Sequence, residues 1–491
     1  METVDTMAIF IYNTLSRSKE RFVPIDSEEV RMFVCGQTVY DEAHMGHAKT
    51  YIDFDIVVRW LRSSGYKVKY IQNITDVDDK IIARAEEKQM TPTALARKYE
   101  GLFLEDMEAI GVRENVNLYP RSHDYIGAIR DQIQLLFDNG YAYAVGDNAY
   151  YDVSKFRDYT KLSGMKIEEL KKHRIESPEG KRNVYDFALW KAVKKETEPQ
   201  WEIEVVIEGE RRKLRGRPGW HIEDTAIVHS FFGPQYDLHG GASELIFPHH
   251  TNEIAQSEAA FGISPYVKYW MHSGVFNIRG EKMSKSLRNY ISIREVLSKH
   301  GPEDIRMAIC STHYRKDIEY REEIISNAAR RVNYLYASMS SFYNMKEGQG
   351  DRDGEALAIA SRMDVGFKEA MDDDFNTPLA LSRLEIAAGE LKDFAESNDA
   401  IGEGTKIAIV DAIRKKAWVL GLLENDSFKE PLPEEARKMI GEREEMRKKR
   451  KFEESDRIRD DIRSRFGIEL EDTEQGTAWS RKSWRGKGRT G

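Results

Sequence analysis

Phe33-Val-Cys-Gly-Gln-Thr-Val-Tyr-Asp-Glu-Ala-His-Met-Gly-His47 is the stretch from which the rest of the chain can be read. It opens in an apolar run, Val30 to Val34, that predicts a buried strand, breaks at Gly36, and ends in His44-Met-Gly-His47. A helical spacing then begins, through Tyr51, Phe54, Val57, Val58 and Leu61. Strand, glycine turn and helix N-terminus together offer backbone N–H groups and the positive end of a helix dipole, an arrangement suited to phosphate. Two histidines three residues apart share a face of the first turn and could donate hydrogen bonds there. Alone, such a pair is more often a surface feature.

Working outward, the helix ends near Gly65 and an alternating strand follows, Lys67 to Gln72. Strands joined by a helix predict a doubly wound parallel sheet, which binds ligands at the carboxyl ends of its strands. Cys35 and Asn73-Ile-Thr75 each follow a strand and so belong to one crevice. Far downstream, Glu281-Lys-Met-Ser-Lys-Ser286 packs two lysines and two serines into a polar loop, a cationic clamp for a polyphosphate.

At 491 residues the chain exceeds what one core sustains, and three or four domains are expected. No apolar run approaches a membrane span, and the acidic start Met1-Glu-Thr-Val-Asp-Thr6 lacks a signal-peptide layout. Cys35 and Cys310 are the only cysteines, which excludes a disulfide framework and points to a reducing, cytoplasmic setting. A net charge of −9 argues against indiscriminate nucleic-acid binding, yet residues 441–491 hold fifteen Lys/Arg against twelve Asp/Glu, so a local basic surface remains open at that end.

Taken together, the two polar stretches resemble the signature motifs of class I aminoacyl-tRNA synthetases, written HIGH and KMSKS. Five further stretches narrow the likeness to the cysteinyl-tRNA synthetase family, over residues 8 to 482. They are Cys35-Gly-Gln-Thr-Val-Tyr-Asp41, Asn73-Ile-Thr-Asp-Val-Asp-Asp-Lys80, Arg217-Pro-Gly-Trp-His-Ile-Glu223, Phe247-Pro-His-His-Thr-Asn-Glu-Ile-Ala-Gln-Ser257 and Tyr269-Trp-Met-His-Ser-Gly274. The resemblance implies ATP-dependent activation of L-cysteine to its adenylate and transfer to the 3′ end of tRNA(Cys). It implies that His44, Gly46 and His47 contact the phosphates of ATP, that Lys285 neutralises the leaving pyrophosphate with Lys282 in support, and that Mg²⁺ arrives with the nucleotide. Arg288 stands where the family more often has glycine. Thr75 and Trp220 resemble pocket residues, a polar contact near the substrate amine and an apolar wall.

Cysteine differs from serine only in sulfur for oxygen, a distinction that an apolar pocket makes poorly and a zinc ion makes well, because it binds a thiolate. The family's ligands are two cysteines, a histidine and a glutamate. Cys35, His249 and Glu253 match three of them, the latter two on a helix expected to begin near Pro248. The fourth position, after Gly219-Trp-His-Ile-Glu223, is Asp224. A carboxylate there has about the right reach, with metal–oxygen bonds of roughly 2.0–2.2 Å against about 2.3 Å for sulfur, but makes a harder site. His250 is the rival for the imidazole, and Cys310, in an apolar run, reads as a core thiol.

The resemblance implies an α/β fold: a Rossmann-like catalytic domain with a doubly wound parallel sheet, in halves 8–91 and 216–319. A connecting-peptide insertion (92–215) separates them, too short for an editing domain, with helices expected at 92–111 and 121–140 and a hairpin around Gly146-Asp-Asn148. A helical bundle (320–430), a small α+β anticodon-binding unit (435–482) and a basic, disordered tail (483–491) follow. In that unit Arg447 and Arg459 would hold phosphates, Asp456 and Asp472 would accept from base edges and Trp479 would stack. Two other readings stay open. A ligase delivering cysteine to an amino sugar would have no use for residues beyond 435. A non-catalytic tRNA-binding relative would have no need of intact His44, His47, Lys282 and Lys285.

Overall fold

The computed structural model describes residues 8–166, 180–278, 280–283, 290–348, 351–398, 400–473 and 476–481. They form two compact units, one of residues 8–293 with 315–318, the other built on 294–314 and 319–481.

In the first unit a hairpin of β1 (Phe10–Asn13) and β2 (Ser18–Arg21) leads to β3 (Glu29–Val34), α1 (Met45–Ser63) and β4 (Lys67–Gln72), the three elements expected from the sequence. Then come α2 (Asp79–Glu87), α3 (Pro92–Ala109) and α4 (Ile126–Asp138). The expected second helix of this region therefore starts five residues late, after a separate 3₁₀ turn at Ser122–Tyr125. The hairpin around Gly146 exists as β5 (Ala142–Val145) and β6 (Asn148–Tyr151). It is the edge of a larger sheet completed by β7 (Phe187–Ala192), β8 (Trp201–Ile207) and β9 (Glu210–Pro218), in the order β5-β6-β7-β9-β8, all antiparallel. On β8 the exposed Glu202 and Glu204 alternate with the buried Ile203 and Val205, and on β9 Leu214 is buried between the exposed Lys213 and Arg215. Ile203, Val205 and Leu214 face the core, while Glu202–Lys213 and Glu204–Arg211 pair across the outer face at 2.7 and 3.2 Å.

The chain then returns through α5 (Ile222–Phe232), β10 (Tyr236–Ala242), α6 (Thr251–Phe261) and β11 (Val267–Ser273). The central sheet runs β11-β10-β3-β4, every pair parallel. From β3 the chain steps outward to β4, and from β10 it steps outward the other way to β11. The switch point therefore lies between β3 and β10, where a crevice opens at the strands' carboxyl ends, Val34 and Ala242. One core ties the inserted sheet to the helices beside this crevice: Ile133 and Leu136 of α4, Trp190, Ile203 and Leu214 pack with Ile222 and Ala226 of α5 and Ala255 of α6.

Helix α1 lies behind the crevice, buried over most of its length, so its charges are paired inside the protein. Lys49 Nζ is 2.7 Å from Asp53 Oδ2, and Arg59 Nε is 2.9 Å from Asp55 Oδ2, which also accepts from Asn115 at Oδ1. Each pair is four residues apart, one turn along the helix, and hydrogen-bonded beyond itself, which offsets the cost of burying charge.

The second unit holds α7 (Pro302–Cys310), α8 (Glu322–Tyr343), α9 (Asp353–Asp372), α10 (Thr377–Ser397) and α11 (Glu403–Leu420), with Cys310 buried as expected. Helices α12 (Glu434–Lys448) and α13 (Phe452–Phe466) and a hairpin, β12 (Ile468–Thr473) with β13 (Gly476–Arg481), close on a small core of Ala436, Ile440, Ile462 and Ile468. Among the described residues no helix is long and apolar enough to cross a membrane.

Candidate functional site

The two histidines of the opening stretch cap α1. His44 is its N-cap, where its Nδ1 accepts from Gly46 N at 3.1 Å, and His47 Nδ1 accepts from His44 N at 3.2 Å. A capping box is thus built from imidazoles in place of the usual hydroxyl and carboxylate. Because both Nδ1 atoms accept, both protons sit on Nε2, and each ring becomes a donor there. Gly46 is required for this closeness: a Cβ would lie 2.9 Å from the His44 ring. Both rings line a cleft of about 340 Å³ together with Cys35, Gly36, Tyr40 and Trp220.

Where β3 ends, Gly36 passes so near β4's continuation that a Cβ would stand 1.6 Å from Asn73 O. The contact brings Cys35 beside residues from α5 and α6. Cys35, Asp224, His249 and Glu253 offer ligand atoms that all lie within 4.8 Å of one another, and all four side chains are buried. His249 Nε2 is 3.0 Å from Asp224 Oδ2 and 2.9 Å from Glu253 Oε1, while Cys35 Sγ is 3.8 Å from that same Oε1. The helix expected near Pro248 begins by its hydrogen bonding at Thr251, but the wide turn Ile246–His250 runs into it. His249 and Glu253 consequently stack one turn apart, as the spacing requires. His250 turns the other way, toward Cys35 and His272.

Three groups able to carry negative charge surround one buried imidazole. Burial first, then Glu253 and Asp224, push the Cys35 thiol well above its ordinary range. Burial raises Glu253, and although burial opposes a charged His249, the carboxylates of Glu253 and Asp224 outweigh it and lift that ring. Glu253 Oε2 and Glu223 Oε2 are buried with no hydrogen-bond partner. Anionic donors converging on a buried point, with a carboxylate oxygen to spare, fit a divalent cation.

Trp220 forms a wall, stacked on His249 with centroids 4.3 Å apart, and it lines the cleft. Thr75, the expected substrate contact, follows β4 beside Asn73. It is buried, and its hydroxyl donates to Glu223 Oε1 at 2.8 Å. Lys282 lies in a short strand, Glu281–Lys282, paired with Asn277 and Ile278, while Lys285 and Arg288 fall outside the described residues. In the small C-terminal unit Trp479 packs partly buried against its core, Arg459 pairs with Asp456 at 3.2 Å on the surface, Arg447 lies in the last turn of α12, and Asp472 is on β12.

Sequence reasoning left several members of the site unassigned. Asn73 donates through Nδ2 to Asp224 Oδ1 at 2.5 Å and accepts from Gly36 N at 2.6 Å, so it orients the aspartate and the turn together. His221 Nδ1 is 2.8 Å from His249 Nδ1, the outer partner that leaves Nε2 facing the carboxylates. His239 and His250 are buried beside Cys35, and burial, followed by the neighbouring histidines, pushes both well below the usual range, so both are neutral. The only linear signal for Asn73 and His221 was their place inside the quoted motifs.

Comparison with known proteins agrees with this geometry. Residues 21–330 match the model of the tRNA synthetases class I (C) catalytic domain, and residues 366–424 match the DALR domain. The chain is 44% identical to the cysteine–tRNA ligase of Thermococcus gammatolerans, over 97% of this chain and 99% of that one. It is 43% identical to that of Pyrococcus horikoshii, over 97% and 99%. Among solved structures, Mycobacterium tuberculosis methionyl-tRNA synthetase in complex with methionyl-adenylate shares the fold, with a TM-score of 0.57 at 17% identity, over 80% of this chain and 89% of that one. The parallel sheet with its capped helix and crevice, and the likeness along nearly the whole sequence, place the chain in the cysteine–tRNA ligase family of class I tRNA synthetases.

Proposed function

We propose that this protein activates L-cysteine with ATP and transfers it to tRNA(Cys) in the cytoplasm. The observation that carries the reading is a coincidence of place. At one switch point the cap of two histidines lines the same cleft as Cys35, the thiol of a buried cluster with Asp224, His249 and Glu253. A carboxylate oxygen of cysteine attacks the α-phosphorus of ATP, the bond to the β-phosphate breaks, and pyrophosphate leaves. A terminal ribose hydroxyl of the tRNA then attacks the acyl carbon, and AMP leaves. For the first step the protein's work is in-line positioning and charge neutralisation. The Nε2 protons of His44 and His47, beside Gly46, donate to the phosphates, Lys282 and Lys285 neutralise the departing pyrophosphate, and Mg²⁺ enters with the nucleotide. Cysteine-dependent exchange of pyrophosphate into ATP, and cysteine-dependent charging of tRNA(Cys), test the reading; exchange that serine supports equally well would overturn it.

Cys35, Asp224, His249 and Glu253 hold the metal in this reading, a zinc ion that would bind the substrate sulfur as thiolate. Asp224 keeps the anionic character of the cysteine it replaces. Trp220 walls the pocket, and Thr75, held by its hydrogen bond to Glu223, supplies the polar contact near the substrate amine. Asn73 holds one oxygen of Asp224 and so leaves the other for the ion. Asn73→Ala is expected to weaken zinc retention by about tenfold to a hundredfold in competition with a chelator, the usual effect of removing an outer hydrogen bond. Retention equal to the parent protein would remove Asn73 from the site.

The domain scheme read from the sequence goes with this function, the catalytic halves at 8–91 and 216–319 flanking the 92–215 insertion, then the 320–430 bundle. The unit at 435–482 reads the tRNA, through Arg447, Arg459, Asp456, Asp472 and Trp479. Removing residues from 431 onward is expected to leave cysteine-dependent exchange within about threefold and to lower tRNA charging by at least about 10², because phosphate and base contacts supply the tRNA's affinity. Equal loss of both activities would assign the unit a structural role.

A further inference from the structure

Cys35 and Glu253 face a second set of donors. His239, on β10, and His250 bring their Nε2 atoms to 3.3 and 3.2 Å from Cys35 Sγ, and His239 Nε2 lies 3.4 Å from Glu253 Oε2. These four ligand atoms also fall within 4.8 Å of one another. Around an ion with bonds of about 2.0–2.3 Å, tetrahedral edges measure about 3.3–3.7 Å, close to the three separations here.

The oxygen of Glu253 is the second observation. The set with Asp224 engages Glu253 through Oε1, whereas Oε2 is buried, lies on the side of His239 and has no aligned hydrogen bond. The outer nitrogens of both imidazoles are already engaged, His239 Nδ1 with the Tyr236 hydroxyl at 2.5 Å and His250 Nδ1 with His272 Nε2 at 2.8 Å. His272 Nδ1 in turn sits 2.8 Å from Thr14 Oγ1. Two imidazole nitrogens therefore face one thiol, which has a single proton to donate and is a poor acceptor for a second ring. Outer partners that fix ring orientation and turn Nε2 inward are those expected of metal-binding histidines.

We propose that the cluster is a two-position metal site, in which Cys35 and Glu253 close on one borderline divalent cation either with Asp224 and His249 or, alternatively, with His239 and His250. Cys35 belongs to both sets, so the positions are alternatives for a single ion. The histidine pair supplies one thiolate, two imidazoles and one carboxylate, a softer set than one thiolate, one imidazole and two carboxylates, and it suits an ion such as Zn²⁺ or Co²⁺ better. In a chain with aspartate at 224, the second position keeps the ion in the protein when the first lets it go. This deepens the zinc reading above and rests on it.

The test is Co²⁺ binding to the full-length chain and to the double variant Asp224→Asn/His249→Gln, by equilibrium dialysis and absorption spectroscopy, with melting of the metal-free proteins as the fold control. The double variant is expected to bind one Co²⁺ per chain within about a hundredfold of the parent affinity. It should retain a sulfur-to-cobalt charge-transfer band and show shifted ligand-field bands. Adding His239→Gln should then abolish binding. A double variant that melts like the parent and binds no Co²⁺ overturns the proposal while leaving the zinc reading intact. Should the double variant not fold, Asp224→Asn alone decides, since loss of the ion there overturns the proposal equally. A parent chain that holds neither Co²⁺ nor Zn²⁺ removes both readings at once.

Discussion

Replacing His47 with alanine is expected to slow cysteine-dependent pyrophosphate exchange by about two to three orders of magnitude, the usual effect of removing one preorganised donor from a transition state. The expectation follows from which atom carries the proton. His47 Nδ1 is occupied by His44 N, so the donor is Nε2, on a ring that lines the cleft. The substitution also removes half of a helix cap, worth about 1 kcal/mol of local stability, which is smaller than the effect on rate and can be separated from it. Affinity for cysteine alone should change little, because the proposed function assigns the amino acid to the Cys35 cluster and the His47 ring to the phosphates of ATP. Saturating exchange rates with a parallel melting curve check this. A folded variant that exchanges within tenfold of the parent would show that the cap is structural only.

Cys35→Ser should have the next largest effect. The sulfur belongs to both donor sets around Glu253, so neither can compensate for its loss. Zinc retention is expected to fall by at least about a hundredfold, since a serine hydroxyl does not ionise to supply the anionic ligand a thiolate does. The preference for cysteine over serine should then fall by about 10² or more, toward the limited discrimination that shape alone provides. Metal content by elemental analysis and exchange with each amino acid measure the two quantities independently. A variant that holds no zinc and still rejects serine would place selection elsewhere in the pocket.

Legibility along the chain followed the range of the interactions. β3, α1 and β4 could be read to within a residue or two because each is set by its own periodicity and by a glycine break. The pair β8 and β9 is not legible in the sequence although Ile203 and Val205 alternate with charges on β8, because those charges and the exposed run Glu210 to Lys213 on β9 resemble a solvated face until cross-strand partners are known. The helix start near Pro248 was placed early because Phe247 has extended backbone angles inside the wide turn, which side-chain spacing does not register.

The grouping of Cys35, Asp224, His249 and Glu253 was legible from motif order, and so was the odd aspartate within it, because each member sits in a contiguous stretch whose residue types carry donor chemistry. The roles of Asn73, His221 and His239 were not. Asn73 and Asp224 are 151 residues apart, and Cys35 and His239 are 204 apart. A hydrogen bond across such distances exists only once the parallel sheet has fixed which strand ends are neighbours. Local sequence sets periodicity, caps and donor chemistry. Which lone pair faces which proton depends on the close approach of β3, β4 and β10, and on the packing of α5 and α6 against them.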